Sequence, residues 1–95
     1  MKRTTITDWA YVPDCEFTQR EFKRRLGITE RNRVRDVRIR GDCITIEVFH
    51  GDGLVRYETG QQEFKDRLGI TDRRAILVVY ASVWNSKVQI SHAGN

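Results

Sequence analysis

The sequence predicts an α+β domain built from two copies of a β-α-β-β unit. The expected arrangement is six strands in an antiparallel or mixed sheet, with two short helices packed on one face about a pseudo-twofold axis. Three observations carry this expectation. Gln19 to Arg31 reads QREFKRRLGITER and Gln61 to Arg73 reads QQEFKDRLGITDR, with ten of thirteen positions identical at an offset of 42. Identity that dense points to duplication of a unit of about forty residues. Each repeated segment is followed by apolar residues at period two, the pattern of a strand pair. Finally, 95 residues suit one shared core. The chain therefore reads as one domain, 1–95, made of repeats at about 4–50 and 53–93. Two copies are too few for a solenoid.

In chain order, Thr4 to Val12 reads as the first strand, carrying Ile6, Trp9 and Tyr11 and closed by Pro13. A helix comes next, over Thr18 to Ile28. Thr18 is a natural N-cap and Glu21 completes a capping box, while Phe17 and Phe22 have the spacing of a hydrophobic staple. Phe22 and Leu26 share one face, and Gly27 suits the left-handed turn that ends a helix. Val37, Ile39, Ile44, Ile46 and Val48 then alternate with polar residues around Gly41-Asp42. This is a hairpin in which Ile39 faces Ile44 and Val37 faces Ile46. The face opposite the core (Asp36, Arg38, Arg40, Cys43, Thr45, Glu47) reads as solvated.

Gly51-Asp52-Gly53 links the copies, and Leu54 to Glu58 is the strand before the second helix. Phe64, Leu68 and Gly69 repeat the helix pattern, with Thr59 or Gly60 as the cap. The second hairpin is expected to turn at Asn85-Ser86, with Val83 facing Val88 and Ala81 facing Ile90. That places the two extra residues of the second copy between helix and turn.

Function is sought where the copies disagree. Between Arg20 and Arg40 nine Lys or Arg stand against three acids, whereas Gln62 to Ser82 holds four against three. Arg20 is replaced by Gln62 and Arg24 by Asp66. The excess forms a candidate phosphate-contacting strip of Arg20, Lys23, Arg24, Arg31, Arg33, Arg35, Arg38 and Arg40. An acidic protein surface suits it as well. In the second copy Ile76, Val78, Tyr80 and Trp84 would make the outer face apolar too. A strand apolar on both faces is central, meets a partner such as a second copy in a homodimer, or offers rings to nucleobases beside Lys87.

Nothing in the sequence points to catalysis. His50 and His92 read as strand-end surface residues without a neighbouring nucleophile, and no P-loop, GxGxxG or HExxH is present. Cys15 and Cys43 are too few for a disulfide framework or a zinc knuckle, so no cofactor or metal is expected. No apolar run approaches the roughly 20 residues of a membrane span, and the basic N-terminus lacks a signal-peptide core. The expectation is a cytoplasmic, non-enzymatic, homodimeric binding module. Its first partner class is nucleic acid. The alternative is a protein-interaction module, a small inhibitor or adaptor, acting through the second hairpin or a sheet edge.

Overall fold

The computed structural model describes residues 14–82 and 86–93. It is α+β, with six antiparallel strands in two sheets and two helices. The elements are β1 (Cys15–Thr18), α1 (Gln19–Leu26), β2 (Val34–Arg40), β3 (Cys43–His50), β4 (Gly53–Gly60), α2 (Gln61–Leu68), β5 (Ile76–Ala81) and β6 (Lys87–His92). No helix among the described residues is long and apolar enough to cross a membrane.

Both helices begin and end as their caps require. Glu21 N donates to Thr18 Oγ1 at 3.1 Å, one half of the capping box. The Glu21 carboxylate accepts instead from Arg24 and Arg25. α2 starts at Gly60 without a side-chain cap. Gly27 and Gly69 close the helices at φ 74° and 76°, a left-handed conformation that glycine adopts without a Cβ clash.

The two sheets have the orders β2-β3-β4 and β1-β6-β5, and β2 packs beside β5. A single sheet carrying both helices on one face was the expectation; the described residues form two three-stranded sheets instead. The cause is local. Gly51-Asp52 is a two-residue hairpin loop, with His50 opposite Gly53, rather than a linker. It folds β4 straight back onto β3. β1 pairs with β6, where Phe17 faces Val88. α1 packs on β1 and β6, α2 on β4 and β3. The helices meet edge to face through Phe22 and Phe64, ring centroids 5.8 Å apart and both rings fully buried. Val34, Ile44, Val48, Leu68, Val88 and Ile90 complete the centre of the core. Burying each such side chain contributes roughly 1.5–3 kcal/mol.

The first hairpin has the register expected, Ile39 with Ile44 and Val37 with Ile46. The second does not. Ala81 pairs with Val88 and Val79 with Ile90, so the two residues by which the second segment is longer fall between Ala81 and Val88 rather than before the turn. Both β2 and β5 break register at their second residue, between Val34 and Asp36 and between Ile76 and Val78. A bulge of this kind turns two successive side chains to one face and shifts the phase of the rest of the strand. It puts Ile76 in the core at 2% exposure, whereas simple alternation had placed it outside. The strand expected over Thr4 to Val12, together with Val83, Trp84 and Asn85, lies outside the described residues. The strand that enters α1 is Cys15–Thr18.

The residues shared by the two repeated segments hold the fold by matched contacts. Gln19 Nε2 donates to Val34 O at 3.1 Å while Val34 N donates to Gln19 Oε1 at 2.7 Å. Gln61 grips Ile76 in the same two ways, at 3.0 and 2.9 Å. Arg25 donates to Leu68 O at 2.7 Å, and Arg67 to Leu26 O at 3.1 Å, so each helix closes the C-terminus of the other. A cation there also meets the negative end of the helix dipole. Lys23 Nζ donates to the carbonyls of Glu30, Arg31 and Asn32. Lys65 Nζ does so to those of Asp72, Arg73 and Arg74.

Candidate functional site

The basic strip read from the sequence divides in space. Five of its members line one concavity of about 780 Å³ between α1, the 27–33 loop and Ser86: Arg20, Lys23, Arg24, Arg31 and Arg33. Thr18, Gln19, Ile28 and Glu30 complete the wall. The position is set by the cap and the lysine tie. Thr18 starts the helix beside the hairpin tip, where Gln19 N donates to Ser86 O at 2.8 Å. Lys23 draws the 30–32 backbone against the helix, which sets Arg31 and Arg33 across from Arg20 and Arg24.

The cations of this concavity are unequal. Lys23 is committed to three carbonyls and acts as a strut. Arg24 pairs with Glu21 at 2.5 Å while its side chain remains 68% exposed. Arg24 and then Arg25 hold the Glu21 carboxyl down at about 2. Arg20 and Arg31 have exposed side chains without a hydrogen-bond or ion-pair partner among the described residues. Among the described residues the one acid in the wall is Glu30, and it is turned to His50 Nδ1 at 2.9 Å. The site therefore presents uncompensated positive charge in a recess, the condition under which fields focus on an anion. The corresponding residues of the second segment carry less of this charge, although Arg73 keeps that of Arg31. Gln62, Asp66 and Ala75 stand where α1 and its loop have Arg20, Arg24 and Arg33. Arg74 there is bound to Asp72 and Asp14.

Arg35 and Arg38 belong to a second group on the outer face of the β2-β3-β4 sheet. That face was expected to be solvated throughout, but Glu47 on it is 2% exposed. Its carboxylate accepts from Arg35 at 3.0 Å and from Arg56 at 3.0 Å, with Arg38 at 3.9 Å. The hydrogen bond from Arg56 is the main cause of a lowered Glu47 pKa, with Arg38, Arg56 and Arg35 adding charge attraction against the opposing effect of burial. The sequence reading missed Arg56 and the role of Glu47. The available signal was the Gly51-Asp52 turn, which sets Arg56 directly opposite Glu47. Arg40 stands apart at the end of β2, exposed and opposite Cys43.

Of the apolar group, Ile76 is core while Leu77, Val78 and Tyr80 are 58%, 50% and 56% exposed on β5. Trp84 lies outside the described residues. His50 is exposed as expected, but His92 is buried, its Nδ1 2.9 Å from Arg74 O. His92 borders a smaller recess of about 330 Å³ with Cys15, Asp14 and Asp72. Burial, then Asp14 and Asp72, pushes the Cys15 thiol pKa up, the opposite of what a nucleophilic thiolate needs. No family model, curated protein or solved structure matches the chain.

Proposed function

We propose that the protein is a non-enzymatic accessory module that binds the phosphate backbone of nucleic acid through the concavity beside α1. The observation that carries this is the convergence of Arg20, Arg24, Arg31 and Arg33 on one recess, where the acid of the wall, Glu30, is engaged elsewhere. Charge neutralisation of phosphates supplies most of non-specific nucleic-acid affinity. The recess asks for no particular base sequence. The proposal includes an internal duplication with a pseudo-twofold axis between Phe22 and Phe64. It is supported by the matched glutamine, lysine and arginine contacts of the two halves. One half kept a charged recess and the other lost it. A cytoplasmic location goes with this reading.

The test is binding of mixed-sequence duplex DNA and RNA across a salt series. With four contacting cations, the slope of log K against log salt is about −3.6, at −0.9 per phosphate. Arg20→Ala and Arg31→Ala are the variants of choice, since neither exposed side chain has a hydrogen-bond or ion-pair partner among the described residues. Each is expected to lower the slope by about 0.9 and to weaken binding about eightfold at 0.1 M salt. Binding that ignores salt, or that survives both changes together, rules the proposal out.

A second reading rests on the exposed Leu77, Val78 and Tyr80 of β5, whose apolar surface suits a protein partner or a second copy. It predicts a dimer by light scattering that Tyr80→Glu converts to a monomer. A mass of 11.2 kDa for the unaltered chain at micromolar concentration excludes self-association.

A further inference from the structure

We infer that Arg35, Arg38 and Arg56 form a second phosphate-binding patch, assembled by Glu47, so that the ligand is a polymer long enough to reach from the concavity onto the outer face of the β2-β3-β4 sheet. The inference rests on the reading of the concavity as a phosphate site.

Three guanidinium groups converge on one carboxylate. Glu47 is 2% exposed, while the side chains of Arg35, Arg38 and Arg56 are 46%, 59% and 64% exposed. The acid is thus covered by the cations, and the surface that solvent meets is guanidinium. Each guanidinium has five donors in a rigid fork, and Glu47 uses only a part of each. Among the described residues the further acid bound to the group is Asp36, whose Oδ1 accepts from Val37 N at 2.9 Å and whose Oδ2 lies 3.4 Å from Arg38 Nε. On this face Arg35, Arg38, Arg40 and Arg56 stand against Asp36, Glu47 and Glu58, which leaves it net positive by one charge. Its donors are held by a buried anchor, the preorganised geometry that suits phosphate oxygens.

The bulge at the start of β2 creates this placement. It turns both Arg35 and Asp36 outward between the inward Val34 and Val37. Arg33, in the wall of the concavity, is two residues from Arg35, about 7 Å along extended chain. From Arg33 to Arg38 the reach is about 16 Å. That corresponds to about five base pairs of helix axis at 3.4 Å each. The two patches are therefore neighbours along one track, and a mononucleotide or free phosphate fills only one of them.

The experiment titrates the full chain with mixed-sequence DNA duplexes of 4 base pairs, closed at one end by a non-nucleotide linker so that the strands stay paired, and of 20 base pairs, over 50–200 mM salt. The 20-mer is expected to show a slope steeper than −3.6, and the 4-mer a shallower one. Arg38→Gln is the primary variant, because its bridge to Glu47 is the longest at 3.9 Å and Arg35 and Arg56 still cover the acid without it. It should lower the 20-mer slope by about 0.9 and leave the 4-mer slope unchanged. Arg56→Lys keeps the charge but loses the fork, so it should weaken the 20-mer several-fold at nearly constant slope. Glu47→Gln raises net charge by one yet should weaken binding, because it releases the anchor. A structural role alone would alter melting and leave these slopes untouched.

Tighter binding by Glu47→Gln would show that only total charge matters and would overturn the inference. So would equal slopes for the two duplexes, or an Arg38→Gln slope like that of the unaltered chain. In those cases the weaker binding and lower slope of Arg20→Ala would leave the concavity reading standing. If neither duplex binds with salt dependence, both fall.

Discussion

Replacing Gln19 with Met tests the contact that fastens the start of β2 to α1. Gln19 is 6% exposed and Val34 fully buried. Their two hydrogen bonds, at 3.1 and 2.7 Å, satisfy both backbone groups of Val34 in a place that water does not reach. Met has nearly the same length and shape, so little packing is lost. The change leaves one buried N–H and one buried C=O without partners, at about 1–3 kcal/mol each. A cost of about 3 kcal/mol is expected, a large share of the roughly 5–14 kcal/mol available to a chain this size. Gln61 makes the same pair of bonds to Ile76 but is only part-buried, so water replaces part of the loss and Gln61→Met should cost less, about half as much.

Gln19→Glu supplies an internal control. Its carboxylate would still accept from Val34 N but would oppose Val34 O, and protonation restores a donor. Its deficit should therefore shrink as pH falls through the carboxyl range. The assay is equilibrium urea unfolding, read at constant m so that the change reflects stability alone. A Gln19→Met cost below about 1 kcal/mol, or a Gln61→Met cost as large as that of Gln19→Met, would refute the reasoning.

Three further outcomes are expected. Gly27→Ala adds a Cβ at φ 74° and 3.3 Å from the Arg67 guanidinium that closes α1, so it should cost about 1–2 kcal/mol and lower Tm by roughly 4–15 °C in a thermal melt. A double-mutant cycle of Phe22→Leu and Phe64→Leu should give a coupling of about 0.5–1.5 kcal/mol, and additive losses would deny the edge-to-face contact. Glu21, held at about 2 against an ordinary 4.5 by Arg24 and then Arg25, gives stability that is present above pH 4.5 and is lost as pH falls toward 2. The Asp72 carboxyl, lowered chiefly by its bond to the Arg74 side chain, acts in the same direction. Glu21→Gln should flatten the urea midpoint against pH across that window, and an unchanged profile would remove Glu21 from the account.

The candidate site was half legible. Clustering of Arg20, Lys23, Arg24, Arg31 and Arg33 could be read from spacing, because helix and adjoining loop are local. Their division of labour could not. Lys23 is a strut, and its identity with Lys65 in the repeated segment was the sign of a shared scaffold. Arg56 meets Glu47 across the Gly51-Asp52 turn, but it joins Arg35 and Arg38 only because β2 and β4 flank β3 on opposite sides, a relation among three strands that no single window displays. The bulge in β5 likewise leaves no mark in the sequence, yet it moved Ile76 from the outer face to the core.

By itself the sequence determined the helix ends, the first hairpin with its register, and the basic bias of the first half. Each of these is set by interactions within a few residues: a cap, a left-handed glycine, a two-residue turn, an alternating face. Tertiary structure alone decided that β1 joins β6 and that the strands form two sheets. It also decided that each helix is closed by the arginine of the other, and that a carboxylate on an outer face lies buried beneath three guanidinium groups. Strand partners are chosen by which apolar faces can be buried together, and that choice fixes the placement of charge.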